Sequence, residues 1–188
     1  KCASLGIMSQ AGLPVPPGFA VTTASYEHAR DTAPDYDVLT DLLRVVEVGD
    51  TTGLAVAAAK AREMVGDWEI PAAVQTAIRE MYAKLEELCG VKDVPVAVRS
   101  SATSEDSPDA SFAGEHDTYL WVRGAEEVIE KVRLCRVSLF TDRAVAYREE
   151  MGYDHPKVEM AVAVQKMVHP RAAGVAFITF EHASARPT

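Results

Sequence analysis

Residues Ile7–Tyr26 carry no charged side chain. A run of that length is enough to cross a bilayer as a helix, but its residues forbid one. Pro14, Pro16 and Pro17 lack amide donors and clash with a preceding helical turn. Gly12 and Gly18 lower helix propensity further. The chain must therefore leave a short helix, pass through an extended proline segment and enter a strand. This gives a helix over Ala3–Ala11, with Leu5 and Met8 at helical spacing and Gly12 as C-cap, then a buried strand over Gly18–Thr23. No secretory signal pattern precedes the run. A soluble, cytoplasmic protein with no membrane partner is expected.

The 188 residues suit one domain or part of a larger one. The chain opens at Lys1 without a methionine and stops at Thr188 soon after a strand-like run, so a piece of a longer polypeptide is expected. Hydrophobic residues make up 48% and charged residues 25%, which excludes a mostly disordered chain. The net charge of −9 argues against a nucleic-acid partner, since such binders normally carry a basic surplus. It leaves room for a small cationic pocket. Cys2, Cys89 and Cys135 form no C-x-x-C, and the five histidines show no metal-ligand spacing, so neither a disulfide framework nor a zinc site is expected.

Further along, Thr23 or Ser25 is positioned to cap a helix, and Pro34–Asp37 reads as a turn. Val38–Val48 and Leu54–Val65 read as helices around a loop at Gly49–Gly53. Ile70, Val74, Ile78, Met81, Leu85 and Leu88 form a stripe that predicts a packed helix over Ile70–Leu88. Val94–Arg99 reads as a strand ended by Arg99, followed by a polar loop over Ser100–Asp117. Thr118–Val122 alternates as a strand. Gly124–Met151 reads as one long helix with Val128, Val132, Cys135 and Leu139 inward, and two more strands cover Glu159–Val168 and Gly174–Phe180. The order of elements predicts an α+β fold, with a mixed sheet flanked by helices.

The common glycine-rich phosphate motifs are absent, and no nucleophile–histidine pairing is legible. What stands out is the stretch Val98–Gly114. An arginine at a strand end opens a loop of hydroxyls and small residues closed by Phe112, Ala113 and Gly114. Arginine presents a fixed fork of donors suited to phosphate, and small residues let backbone amides approach an anion. From the residues alone, Arg99 is either an anion ligand or half of a structural salt bridge.

Several motifs in order carry a resemblance. They are Lys1–Gly6, Ala11–Phe19 with Thr22 and Thr23, Val98–Asp106, Ser111–Gly114, Ser138–Ala144 with Tyr147 and Arg148, Val164–Val168, and Ala173–Val175 with Phe177. Together they resemble the N-terminal nucleotide-binding domain of the phosphoenolpyruvate synthase and pyruvate phosphate dikinase family, which includes rifampin phosphotransferase and phenylphosphate synthase. The resemblance implies the N-terminal lobe of an ATP-grasp fold, with ATP between two lobes. It implies that Lys1 and Arg99 contact ATP phosphates and serve catalysis. It places the Gly114 loop over the triphosphate, Thr118 beside the phosphates and Gln165 on a strand flanking the adenine. Each also has an ordinary reading: Lys1 on the surface, Gly114 in a turn, Thr118 in a strand, Gln165 satisfying a neighbouring backbone group. Trp68 and Trp121 are expected to pack rather than stack on a base, and His116 to be solvated.

On this reading residues 1–188 form a partial domain. Residues 1–93 are helix-rich with one early strand, 94–180 are strand-rich and carry the phosphate and base contacts, and 181–188 are a tail. The family's Thr-x-x-Pro turn and second lobe do not follow Phe177. Magnesium ligands and the phosphorylatable histidine are therefore expected outside this chain, and His182 lacks the family's context. The function implied is the ATP-binding lobe of a dikinase-type phosphotransferase. It would split ATP to AMP and phosphate and phosphorylate a histidine on another domain, for transfer to an acceptor such as pyruvate. A catalytically silent nucleotide-binding or regulatory module, or a scaffold fragment inactive without its partner domains, stays open.

Overall fold

A computed structural model describes residues 1–44, 46, 50–103, 117–153 and 157–172. Helix α1 covers Cys2–Gln10, and strand β1 follows the prolines at Gly18–Val21. Four helices come next: α2 at Thr23–Thr32, α3 at Tyr36–Arg44, α4 at Thr51–Asp67 and α5 at Ala72–Cys89. The second half holds β2 at Val96–Ala102, β3 at Thr118–Val122, α6 at Ala125–Val137, a 3₁₀ turn at Ser138–Phe140, α7 at Asp142–Met151 and β4 at Met160–Lys166.

The strands form one sheet in the order β1-β4-β2-β3, and every neighbouring pair is antiparallel. The fold is α+β, as expected, but among the described residues the sheet is antiparallel throughout rather than mixed. Short antiparallel strands suit a sheet with one face on a core and one face free. Here Val96 and Val98 of β2, Val162 and Val164 of β4, Val122 of β3 and Val21 of β1 are buried beneath the helices. Val128, Val132, Cys135 and Leu139 complete this core, as the inward stripe predicts. Burial pushes the Cys135 thiol up to about 12, so it behaves as a packed hydrophobe. No described helix is long and apolar enough to cross a membrane.

Several expectations need correction. The helix expected over Gly124–Met151 is broken. Thr141 is extended at φ −64°, ψ 151°, and its hydroxyl caps α7 by accepting from the Ala144 amide at 3.2 Å. A helix N-cap needs that extended geometry, so one helix must stop before the next starts. The stripe on α5 is Ile78, Tyr82 and Leu85, whereas Met81 and Leu88 are exposed. Thr22, rather than Thr23 or Ser25, holds the N-cap position of α2, and its side chain makes no capping hydrogen bond. Asp50 caps α4 through the Gly53 amide, so the expected loop at Gly49–Gly53 already contains the helix start. Helix α3 starts earlier than expected, at Tyr36, and the expected end near Val48 falls among residues outside the described ones. The strand expected over Gly174–Phe180 lies outside the described residues.

Two buried arginines tie the helical layer together. Arg136 Nη2 donates to the Ser25 carbonyl at 3.0 Å and to its hydroxyl at 2.7 Å, joining α6 to α2. Arg148, from the motif beginning at Ser138, lies over the Phe140 ring at 5.5 Å. Burial lowers both guanidinium groups to about 10.

Candidate functional site

Strand β2 does not end at Arg99. It continues to Ala102, with Ser100 and Ser101 paired to Val162 and Ala161 of β4. The hydroxyls are accommodated because Ser100 Oγ donates to the Asp117 carbonyl at 2.8 Å. Arg99 therefore sits mid-strand. Alternation sends Val96, Val98, Ser100 and Ala102 toward the helices, and Ala97, Arg99 and Ser101 to the opposite face.

The register assembles the site on that second face. Arg99 lies between Thr118 of β3 and Ala163 of β4. Gln165 stands opposite Ala97 on one side and Gly18 on the other. Gly18, Ala20, Ala97, Ala161 and Ala163 thus surround Arg99 and Gln165 with a floor of minimal side chains. Helix α1 covers one end of this face and walls one side of an open cleft of about 320 Å³, lined by Cys2, Leu5, Gly18, Ala20, Ala163 and Gln165. Lys1 occupies the N-cap position of α1, and its backbone nitrogen donates to Ser101 Oγ at 3.2 Å.

The structure thus brings Lys1, Arg99, Thr118 and Gln165 to one region. Gly114, with the loop that holds it and His116, lies outside the described residues. Arg99 Nη1 donates to Gln165 Oε1 at 3.4 Å, and Gln165 Nε2 donates to the Pro16 carbonyl at 3.1 Å. The expectation that Gln165 satisfies a backbone group is met in that contact. Among the described residues no carboxylate forms an ion pair with Arg99. The nearby Asp117 carboxylate instead accepts from the Tyr119 hydroxyl at 2.9 Å. Burial, then Asp117, raises the Tyr119 phenol above its ordinary range. A guanidinium on a floor of small residues, with no described acid neutralising it, suits a planar or branched anion. Among the described residues no three His, Cys, Asp or Glu side chains converge as metal ligands.

Sequence reasoning missed Ser101, Pro16 and Gly18 as parts of this region. Extending β2 by three residues would have placed Ser101 on the face of Arg99, since the strand period is two. The tryptophans divide. Trp68 packs in the core and its indole donates to Asp35 at 2.9 Å. Trp121 corrects the packing expectation: it is 44% exposed, with its ring 4.8 Å from that of His169. It sits at an irregularity in the β2–β3 register with φ at 63°, the left-handed conformation in which bulges turn a side chain outward.

Residues 1–186 match the family model described as the pyruvate phosphate dikinase AMP/ATP-binding domain. The chain belongs to that family. Among curated relatives, a probable phosphoenolpyruvate synthase from Methanocaldococcus jannaschii is 50% identical, over 94% of this chain and 15% of that protein. One from Methanothermobacter thermautotrophicus is 48% identical over 94% of this chain and 26% of that protein. A rifampicin phosphotransferase from Streptomyces is 45% identical over 94% of this chain and 20% of that protein. The chain spans about a quarter or less of the length of these relatives. Membership in an AMP/ATP-binding family agrees with the nucleotide role that the resemblance implies.

Proposed function

We propose that this chain is the ATP-binding lobe of a dikinase-type phosphotransferase with an ATP-grasp architecture. ATP is split to AMP, one phosphoryl group goes to water as phosphate, and the other passes to a histidine on another domain and then to an acceptor such as pyruvate. The second lobe and the phosphohistidine domain lie outside these residues, in the same polypeptide or a partner subunit. The observation that carries this reading is Arg99, held on the open face without a described acidic partner and surrounded by glycine and alanine.

Each residue has a physical task. Arg99 takes two phosphate oxygens through its planar fork, and Lys1 adds a mobile point charge beside it. Both favour the charge that develops as the phosphoryl group leaves, so both serve catalysis. Thr118 offers a hydroxyl from the strand opposite Arg99, and Gly114 supplies backbone amides over the triphosphate. Gln165 borders the base pocket. The described residues do not fit a magnesium site, and the metal that ATP brings is assigned no ligand here. The cytoplasm is the compartment this reading implies, with Cys2, Cys89 and Cys135 as free thiols.

The test is ATP titration of the full-length polypeptide by calorimetry. Arg99→Ala is expected to raise the Kd roughly 10- to 100-fold, which is the loss of charge-assisted hydrogen bonds worth about 1.5–3 kcal/mol. An unchanged Kd would sink the site assignment.

A further inference from the structure

The Gln165 amide is engaged at both ends. Its nitrogen donates to the Pro16 carbonyl at 3.1 Å, and its oxygen accepts from Arg99 Nη1 at 3.4 Å. A primary amide has one donor end and one acceptor end. Rotating it by half a turn would set NH₂ against a guanidinium N–H and oxygen against a carbonyl oxygen. Only the observed orientation satisfies both neighbours, so the two contacts fix the amide jointly.

The anchor at the far end is rigid. Proline fixes the backbone dihedral φ at Pro16 and Pro17. The Lys166 amide donates to the Pro17 carbonyl at 2.9 Å, which locks the proline segment to the end of β4. Gly18 lies directly opposite Gln165. The contact with Arg99 is the looser one, at the long end of hydrogen bonding. It restrains the guanidinium and uses only one of its five N–H donors.

We infer that Gln165 is a positioning residue for Arg99: braced on the Pro16 carbonyl, it holds the guanidinium ready for phosphate, whatever it contributes toward the base. Arginine has many rotamers, and an unrestrained side chain must be ordered when its ligand binds. A restraint present before binding lowers that cost. The inference rests on the proposed reading that Arg99 binds the phosphates of ATP.

The experiment uses two probes on the full-length polypeptide, ATP and inorganic tripolyphosphate, which has no base. Gln165→Met keeps the side-chain length and removes the amide, and Gln165→Ala serves as a second variant. Thermal unfolding without ligand checks that each folds. If Gln165 positions Arg99, both variants weaken tripolyphosphate roughly 3- to 10-fold, the loss of one hydrogen bond, and weaken ATP by at least as much. In the background of Arg99→Ala, Gln165→Met then costs tripolyphosphate nothing more, because there is no guanidinium left to hold. Weakened ATP binding with unchanged tripolyphosphate binding would overturn the inference while leaving the nucleotide site standing, as would additive losses in the double variant. If Arg99→Ala alone left both affinities unchanged, the underlying reading would fail and the inference with it.

Discussion

A Cβ added at Gly18 would overlap the Val164 carbonyl oxygen and lie 2.8 Å from the Gln165 Cα. These are backbone atoms of the paired strand, and no rotamer change relieves the clash. Gly18→Ala must therefore push β1 away from β4 at the residue that braces Arg99. It is expected to destabilise the protein by about 1–3 kcal/mol, the cost of overpacking a close contact, and to weaken nucleotide binding as well. Denaturant unfolding and ATP titration of one variant measure the two effects separately. A stable variant that bound ATP normally would show that β1 does not need to lie so close. The neighbouring residues show what could be read in advance. Arg99 was recognisable because a cation after a run of valine and alanine has few structural uses. Its position was misread because the hydroxyls of Ser100 and Ser101 look like loop chemistry. The hydrogen bond from Ser100 Oγ to Asp117 removes the penalty that makes serine rare in a buried strand.

Helix α5 meets both the sheet and α6 through one hydroxyl. Tyr82 Oη donates to the Val94 carbonyl at 2.8 Å and accepts from the Gly124 amide at 2.8 Å. The tyrosine is buried, so removing the hydroxyl leaves two backbone groups without a partner. Tyr82→Phe is expected to cost about 1–3 kcal/mol, read as a lower denaturation midpoint at unchanged slope. A loss below about 0.5 kcal/mol, the range of ordinary surface substitutions, would mean that water replaces the hydroxyl. This junction also explains why element-level reading went astray. A stripe search weighs Met81 and Leu88 as hydrophobes and passes over Tyr82. The fold buries Tyr82 because its polar tip has two partners far along the chain. The broken helix has a similar cause. Ser138 and Thr141 are tolerated inside helices, and only the cap at Ala144 shows that Thr141 is used as a start. The inward stripe of α6 was legible, although the end of the helix was not.

The sheet has one face packed under helices and another, carrying Arg99, that is proposed to take the ligand. Among the described residues, helices α2, α5 and α6 pack on the first, and α1 covers one end of the second. Relatives that are several times longer share this domain, and the proposed reaction draws the rest of its machinery from outside these residues. Residues 1–188 alone are therefore expected to show no magnesium-dependent ATP turnover above background in a phosphate-release assay. Robust turnover would mean that the chemistry needs no second lobe. The separation of faces also has a genetic consequence. Along β2 every second residue belongs to the helical layer and the others to the ligand side. Substitutions on either face leave the other in place, so the two can drift independently. Loss of the Ala97 codon, with the start of β2 held in register, is different in kind. It would turn the guanidinium into the valine core and lay Val98 where the phosphates are proposed to sit. A gene for this domain can revise the letters of this strand, but it cannot change its length.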